Sequence, residues 1–205
     1  FRLGWGNTIG ALRWNHIYGP QLFSNVSINY SKYSFLTGFG FKYTMPATGE
    51  SSDQFGKYFS RMENAGARID FDYRPTPAHS VRFGGAATAH YFKPGMSDFE
   101  DKGSPVKPLD TSGTGMSTKG VEMLLYAEDD WHLMPNLFVN LGVHAYGFLV
   151  EGRFYHSIQP RLGLRYMLPH NWAVKTAYTH MNQYIHLLSN NGPSLPTDIW
   201  VPSTQ

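Results

Sequence analysis

Residues 64–91 read NAGARIDFDYRPTPAHSVRFGGAATAHY, and the order of those residues decides the fold. Ala65, Ala67, Ile69, Phe71 and Tyr73 alternate with Asn64, Gly66, Arg68, Asp70 and Asp72. A period of two puts the apolar set on one face of a strand and the charged set on the other. After the Pro-rich break 74–79 the alternation resumes, with Val81, Phe83, Gly85, Ala87, Ala89 and Tyr91 set against Ser80, Arg82, Gly84, Thr88 and His90. This pattern predicts a β-hairpin with strands of roughly ten residues. That length suits a tilted strand crossing a bilayer as well as a long strand in a soluble sheet.

The same period recurs on both sides of the hairpin. Thr8, Leu12 and Trp14 oppose Asn7, Arg13 and Asn15, and Val26, Ile28 and Tyr30 oppose Asn25, Ser27, Asn29 and Ser31. Near residues 31–33 the parity changes, because Tyr33 and Phe35 become the apolar members; a bulge or the end of the buried span would produce that. Further strands are expected over about 119–131, 137–145, 158–168 and 172–179. Turns at 17–21, 74–79, 132–136 and 168–171 are short, with Gly, Pro or Asn at their centres. Residues 37–60 and 93–118 are rich in Gly and Pro and read as long loops, residues 151–156 as a shorter connection. Residues 183–205 show no sustained period, and no helix is expected anywhere.

Composition narrows the class. Aromatics make up 16% of the 205 residues, with 13 Tyr and 14 Phe, and Gly reaches 21. The absence of Cys excludes a disulfide framework, a thiolate zinc site and a Cys nucleophile. A net charge of +2 from scattered basic residues excludes a polyanion surface, so no nucleic-acid partner is expected. Mean hydropathy is −0.35, and no apolar run is long enough for a membrane helix. A barrel strand shows lipid only every second residue, so such an average leaves the membrane open.

Bulky aromatics crowd the short-turn ends: Trp14, Tyr18 and Phe23; Phe71, Tyr73 and Phe83; Trp131 and Phe138; Tyr166 and Trp172. Short turns on one side, long loops on the other and an aromatic belt mark a transmembrane barrel. A soluble sandwich also buries one face per strand, but gives its loops no reason to sort by side. The fold expected is therefore all-β: an antiparallel transmembrane β-barrel portion of about eight strands. The chain opens inside what reads as a strand and closes on an aperiodic stretch with apolar Leu187, Leu188, Leu195, Ile199 and Trp200. The expectation is a middle part of a larger barrel, all of 1–205 belonging to one domain. A self-contained eight-stranded barrel with an anchoring or adhesive role is the alternative.

Several motifs carry a family resemblance. Gly4-Trp5-Gly6-Asn7 through Leu12-Arg13-Trp14-Asn15, then Pro20-Gln21-Leu22-Phe23-Ser24-Asn25, resemble the barrel of TonB-dependent outer-membrane receptors. The branch most similar carries a carboxypeptidase-regulatory-like domain ahead of its plug. Ala127-Glu128-Asp129-Asp130-Trp131 resembles a strand end of that family, and Gln159-Pro160-Arg161 through Arg165-Tyr166 another of its strands, with Gln where Glu is common. The run 181–203 resembles a loop of the same branch. The resemblance implies a plug inside a barrel of the 22-stranded type, seated in the outer membrane of a Gram-negative cell. It implies as partners the outer-membrane lipid, the protein's own plug domain, the TonB complex acting through the plug region and, in some members, a surface lipoprotein. The function implied is energy-coupled uptake of a scarce nutrient such as a siderophore, heme, cobalamin, a glycan or a peptide.

The candidate site residues fall into two groups. Arg68, Asp70, Asp72, Arg82, Glu122, Glu128, Arg161 and Arg165, with Arg13 and Lys175, occupy the charged face of their strands. That face reads as a polar lumen, packed on the plug or self-paired. Phe154, Tyr155, Tyr184, His186 and Trp200, with Phe39, Phe41 and Tyr43, are aromatics or neighbours of aromatics on expected loops. Exposed rings there stack on sugars, macrocycles or chelates, or else pack loop against loop. The nine His residues match no ligand spacing and no nucleophile elbow is present, so neither metal, cofactor nor catalysis is expected.

Overall fold

A computed structural model describes residues 1–44, 49, 51–102, 117–188 and 199–202, with no account of the side chains of 52, 94–102, 187, 188 and 199–201. Eight strands form one antiparallel sheet in chain order. They are β1 (Arg2–Ile17), β2 (Leu22–Thr44), β3 (Ser51–Thr76), β4 (His79–Lys102), β5 (Thr118–Met134), β6 (Leu137–Val150), β7 (Arg153–Met167) and β8 (Ala173–Thr179). A 3₁₀ turn at Pro169–Asn171 joins the last two, and a small ribbon pairs β9 (Ile185–Leu188) with β10 (Ile199–Pro202). Every neighbour pairing in the large sheet is sequential, as in an up-and-down wall. Among the described residues β1 and β8 do not meet, so the sheet is open and the closed eight-stranded alternative is not favoured.

Strands β1 to β7 are longer than the ten or so residues expected. β3 has 26 residues and β4 has 24. Residues 37–60, expected as a loop, instead carry the upper halves of β2 and β3, paired from Thr37↔Tyr58 to Thr44↔Ser51. Likewise β4 runs to Lys102, deep into the second expected loop, of which 103–116 lie outside the described residues. The connection expected at 151–156 shrinks to a turn at Glu151 and Gly152, both with positive φ. Ladder hydrogen bonds hold a hairpin together whether or not its side chains alternate in polarity, which is why the pattern faded before the strands did.

Register assigns every side chain to a face, because residues directly opposite one another point the same way. On one face lie Trp14, Val26, Ile69, Gly85, Leu125, Ala145 and Ile158, a single row across β1 to β7. On the other lie Asn15, Asn25, Asp70, Gly84, Tyr126, His144 and Gln159, again one row. We call the first face outer and the second inner. The outer face is apolar up to the level of Tyr30 and Ala65. There it turns charged: Lys32 opposes Glu63, Ser34 opposes Arg61, and Tyr30 donates its hydroxyl to Glu63 Oε2 at 3.1 Å. The apolar band thus spans about nine to eleven residues per strand, the length that crosses a bilayer.

The parity change at 31–33 marks the end of that band. Neither partner of β2 shows a register shift along it, so no bulge is present. Tyr33 and Phe35 stay on the inner face with Asn25, and the outer positions beside them become polar. At the opposite end of the band, near the short turns, outer-face rings gather: Trp14 stacks on His16 with centroids 5.4 Å apart, and Phe71 on Phe83 at 5.0 Å. Two members of the expected belt, Phe23 and Phe138, lie instead on the inner face, opposite Asp72 and Arg165. Aromatic content alone did not reveal their parity.

The far edge of the wall ends abruptly. β8 pairs with β7 only up to Thr179↔Arg161, and the His180 N–H then donates to the Pro160 carbonyl at 3.2 Å. Pro160 has no N–H to return on that side, so the ladder stops there. Residues 181–186 turn onto the inner face, where Tyr184 stacks on Phe148 at 5.5 Å and donates to Ser157 Oγ at 3.1 Å. Phe148, Val150 and Tyr184 form a buried apolar cluster among the described residues.

Candidate functional site

The inner face between the short turns and the level of Tyr30 carries a chain of charge-assisted contacts. All eight charged candidates from the sequence, Arg68, Asp70, Asp72, Arg82, Glu122, Glu128, Arg161 and Arg165, share this face by register. Glu128 is its hub. Its Oε1 lies 2.7 Å from His144 Nε2 and 3.4 Å from Arg161 Nη1, and its Oε2 lies 3.5 Å from Arg82. Arg82 opposes Asp72 in register, yet its guanidinium turns to the next strand, reaching Asp130 at 3.2 Å. Asp130 in turn accepts from Asn140 Nδ2 at 2.7 Å.

Two glycines make the cross-strand reach possible. Gly142 lies between Glu128 and Arg161 in register, and a Cβ there would press on Glu128 Cγ at 2.9 Å. Gly84 lies between Asp70 and Tyr126. The Tyr126 ring lies across it, so its hydroxyl donates to Asp70 Oδ1 at 2.5 Å from two strands away. Arg68 holds the same carboxylate at 2.8 Å and caps the Tyr126 ring at 5.3 Å from its centroid. Higher on the face, His90 Nδ1 lies 2.8 Å from Asn64 Oδ1, and Glu122 approaches its Nε2 at 3.5 Å.

Near the short turns, Arg165 stacks over Phe138 at 5.3 Å and opposes Lys175 directly. They line a cavity of about 660 Å³ with Asp130 and Asn140. Such a face suits a water-filled or protein-filled lumen, where each partly exposed ion pair contributes at most about 1 kcal/mol and the network as a whole sets the geometry. Register also puts Tyr126 and His144 on this face, and no spacing in the sequence shows that they bind Asp70 and Glu128. That connection needs the glycine beside each of them, and the signal was present in Gly84 and Gly142. One acid departs from the rule. Asp129 lies on the outer face at the aromatic belt, its Oδ2 2.6 Å from His79 Nδ1, while His79 stacks on Trp131 at 5.3 Å.

The aromatic candidates divide. Tyr155 and Tyr184 come together around Phe148 on the inner face. Phe154, expected on a loop, lies in β7 on the outer face opposite Leu149 and is 57% exposed, so it does not join them. His186 is exposed in β9. Trp200 opposes Leu187 in β10, and its side chain lies outside what the structure describes.

Phe39, Phe41 and Tyr43 are strand residues rather than loop residues. They continue the inner-face row of Tyr33 and Phe35 above the charged border. Trp5 opposes Phe35, and Tyr58 opposes Thr37 and meets Phe35 edge-on at 6.3 Å. Burial, and secondarily the neighbouring Tyr33, pushes the Tyr58 phenol above its usual pKa, so it stays protonated. Among the described residues no group of three or more His, Asp or Glu side chains could hold a metal ion.

A family model described as TonB dependent receptor-like, beta-barrel, matches residues 1–194. No curated protein matches the chain.

Proposed function

This chain belongs to the TonB-dependent receptor-like β-barrel family, a family of outer-membrane receptors and transporters, and on that premise we propose that it works as part of an energy-coupled importer. Its eight strands serve as staves of a larger wall, and all of 1–205 belongs to that one barrel domain. The observation that carries the reading is the sorting of faces: an apolar band of bilayer height outside, and a charged face inside, on which Arg68 pairs with Asp70 and Glu128 joins Arg82, His144 and Arg161. Lipid requires the first, and a lumen filled by a folded plug favours the second.

In this reading Arg68, Asp70, Asp72, Arg82, Glu122, Glu128, Arg161 and Arg165 face the plug. They hold it through hydrogen bonds that the TonB complex must break for substrate to pass. The nutrient is one too dilute or too large for diffusion through an open pore. The branch whose members carry a carboxypeptidase-regulatory-like domain is the proposed subgroup, with a surface lipoprotein as its lid.

Uptake in cells tests the reading. Accumulation of the nutrient through the intact gene product should stop when TonB is deleted or the proton-motive force is collapsed. Uptake that survives both treatments would show a passive pore and end the proposal.

A further inference from the structure

We infer that the outer face of β2 to β5, just above the apolar band, docks the headgroup of a membrane lipid that carries more than one phosphate; the inference rests on the reading above that this wall stands in a bilayer. Cations on the outer face are confined to one end. Among the paired residues of the large sheet, no Lys or Arg takes an outer position within the band or between the band and the short turns. Near the turns the outer face carries instead Asp129, beside His79. At the other border Lys32, Glu63, Tyr91 and Lys119 form one row across β2 to β5, and Ser34, Arg61 and Lys93 form the row above it.

Three of these cations lack an anion. Glu63 is already held, by Arg61 Nη1 at 3.4 Å and by the Tyr30 hydroxyl at 3.1 Å. Lys32, Lys93 and Lys119 make no hydrogen bond or ion pair among the described residues. From β2 to β5 the patch is about 14 Å wide, and its two rows stand about 7 Å apart in height, too broad for a single phosphate. Long Lys side chains rest their stems on apolar surface and lift the ammonium to the water boundary, where phosphate offers strong acceptor oxygens. Basic side chains at one border of the band fit a leaflet that is anionic on that side. Directly beneath the patch the outer face is shallow. Ala65 and Ala67 on β3 and Ala87 and Ala89 on β4 are exposed, between Ile28 and Tyr30 on β2 and Val121 and Met123 on β5. An acyl chain fits that trough while its headgroup meets the cations above. A soluble polyanion would use the cations alone and leave the trough bare, so the occupant is a lipid.

Native mass spectrometry of the full-length receptor, titrated in detergent micelles, tests this. The probes are a glucosamine-disaccharide lipid with two phosphates, the same lipid with one phosphate, phosphatidylcholine, and free inorganic pyrophosphate. The first should bind most tightly, and loss of one phosphate should weaken it. Joint replacement of the lysines, Lys32→Gln with Lys93→Gln and Lys119→Gln, should weaken binding by about tenfold or more. The same three positions changed to Arg should keep it, which separates charge from a disturbed fold. Arg74→Gln, beside the short turn between β3 and β4, should leave it unchanged. Binding of phosphatidylcholine as tight as that of the lipid with two phosphates, indifference to the triple Gln variant, or pyrophosphate binding as tight as the lipid's would each overturn the inference. Uptake measured in parallel separates the two failures. If uptake depends on TonB while the lipid preference is absent, only this inference falls; if uptake is TonB-independent, the receptor reading falls.

Discussion

The Tyr126 hydroxyl donates to Asp70 across an intervening strand, 2.5 Å away, because Gly84, having no Cβ, lets the Tyr126 ring lie over it. A Cβ at Gly84 would lie against the Ile69 carbonyl oxygen and 3.0 Å from the Tyr126 ring. Three strands are thereby tied at one level by a single ring. Gly84→Ala should cost about 1–3 kcal/mol through overpacking, and Tyr126→Phe about 1.5–3 kcal/mol through loss of a hydrogen bond to a charged group. Urea unfolding of the full-length protein in micelles reads both. In the double variant the costs should fall short of additive, because both act on one contact.

Adjacent positions on β5 should respond oppositely to charge. Leu125 belongs to the outer row with Ile69, and Leu124 to the inner row with Arg68 and Tyr146. Leu125→Arg should destabilise the folded wall by about 2–4 kcal/mol if that row sits near the bilayer midplane. Leu124→Arg should cost far less. Folding titrations in lipid vesicles check the pair, and equal costs would contradict the assignment of faces.

Glu128 joins His144, Arg161 and Arg82. Glu128→Ala leaves three donors without their common acceptor and should cost about 1–3 kcal/mol, whereas Glu128→Gln should recover part of it. Because the contacts lie on the inner face, the loss should also raise passive leakage of a large antibiotic through the receptor. Antibiotic sensitivity of cells carrying each variant measures that.

The strap at 181–186 is held to the wall by Tyr184, with Ile185 packed beside it. Tyr184 is 9% exposed, packs on Phe148 and bonds Ser157. Tyr184→Ala should release the strap locally rather than unfold the wall, since the ladder of β6 and β7 does not depend on it. Proteolytic cleavage between Met181 and His186 should rise, with the midpoint of global unfolding nearly unchanged. Tyr184→Phe should retain most of the protection.

Parity was the legible part of this sequence. Within the apolar band the two faces differ so sharply in polarity that Arg68, Asp70, Glu128 and Arg161 could be assigned to one face from spacing alone. Strand length was not legible. Above Tyr30 the outer face becomes charged and the inner face aromatic, while Gly38 and Gly40 imitate loop composition. Phe55 accounts for both glycines, its ring lying 3.0 Å and 3.3 Å from where their Cβ atoms would be. Phe39 and Phe41 therefore sit in loop-like composition, although backbone pairing places them, and Phe154 in β7, in strands. The links between strands, such as Tyr126 to Asp70 and His144 to Glu128, stayed hidden because they join residues far apart in sequence, and no period reports that.

The bare margins of the sheet have a practical outcome. Along β1, along β8, and along β7 beyond Pro160, main-chain N–H and C=O groups face outward with no neighbouring strand among the described residues. In hydrocarbon each such group costs several kcal/mol, and in water the same margins are templates for self-association. Residues 1–205 expressed by themselves should thus collect as insoluble fibres or sheet-to-sheet oligomers, and refolding experiments will need the adjoining staves in the same tube.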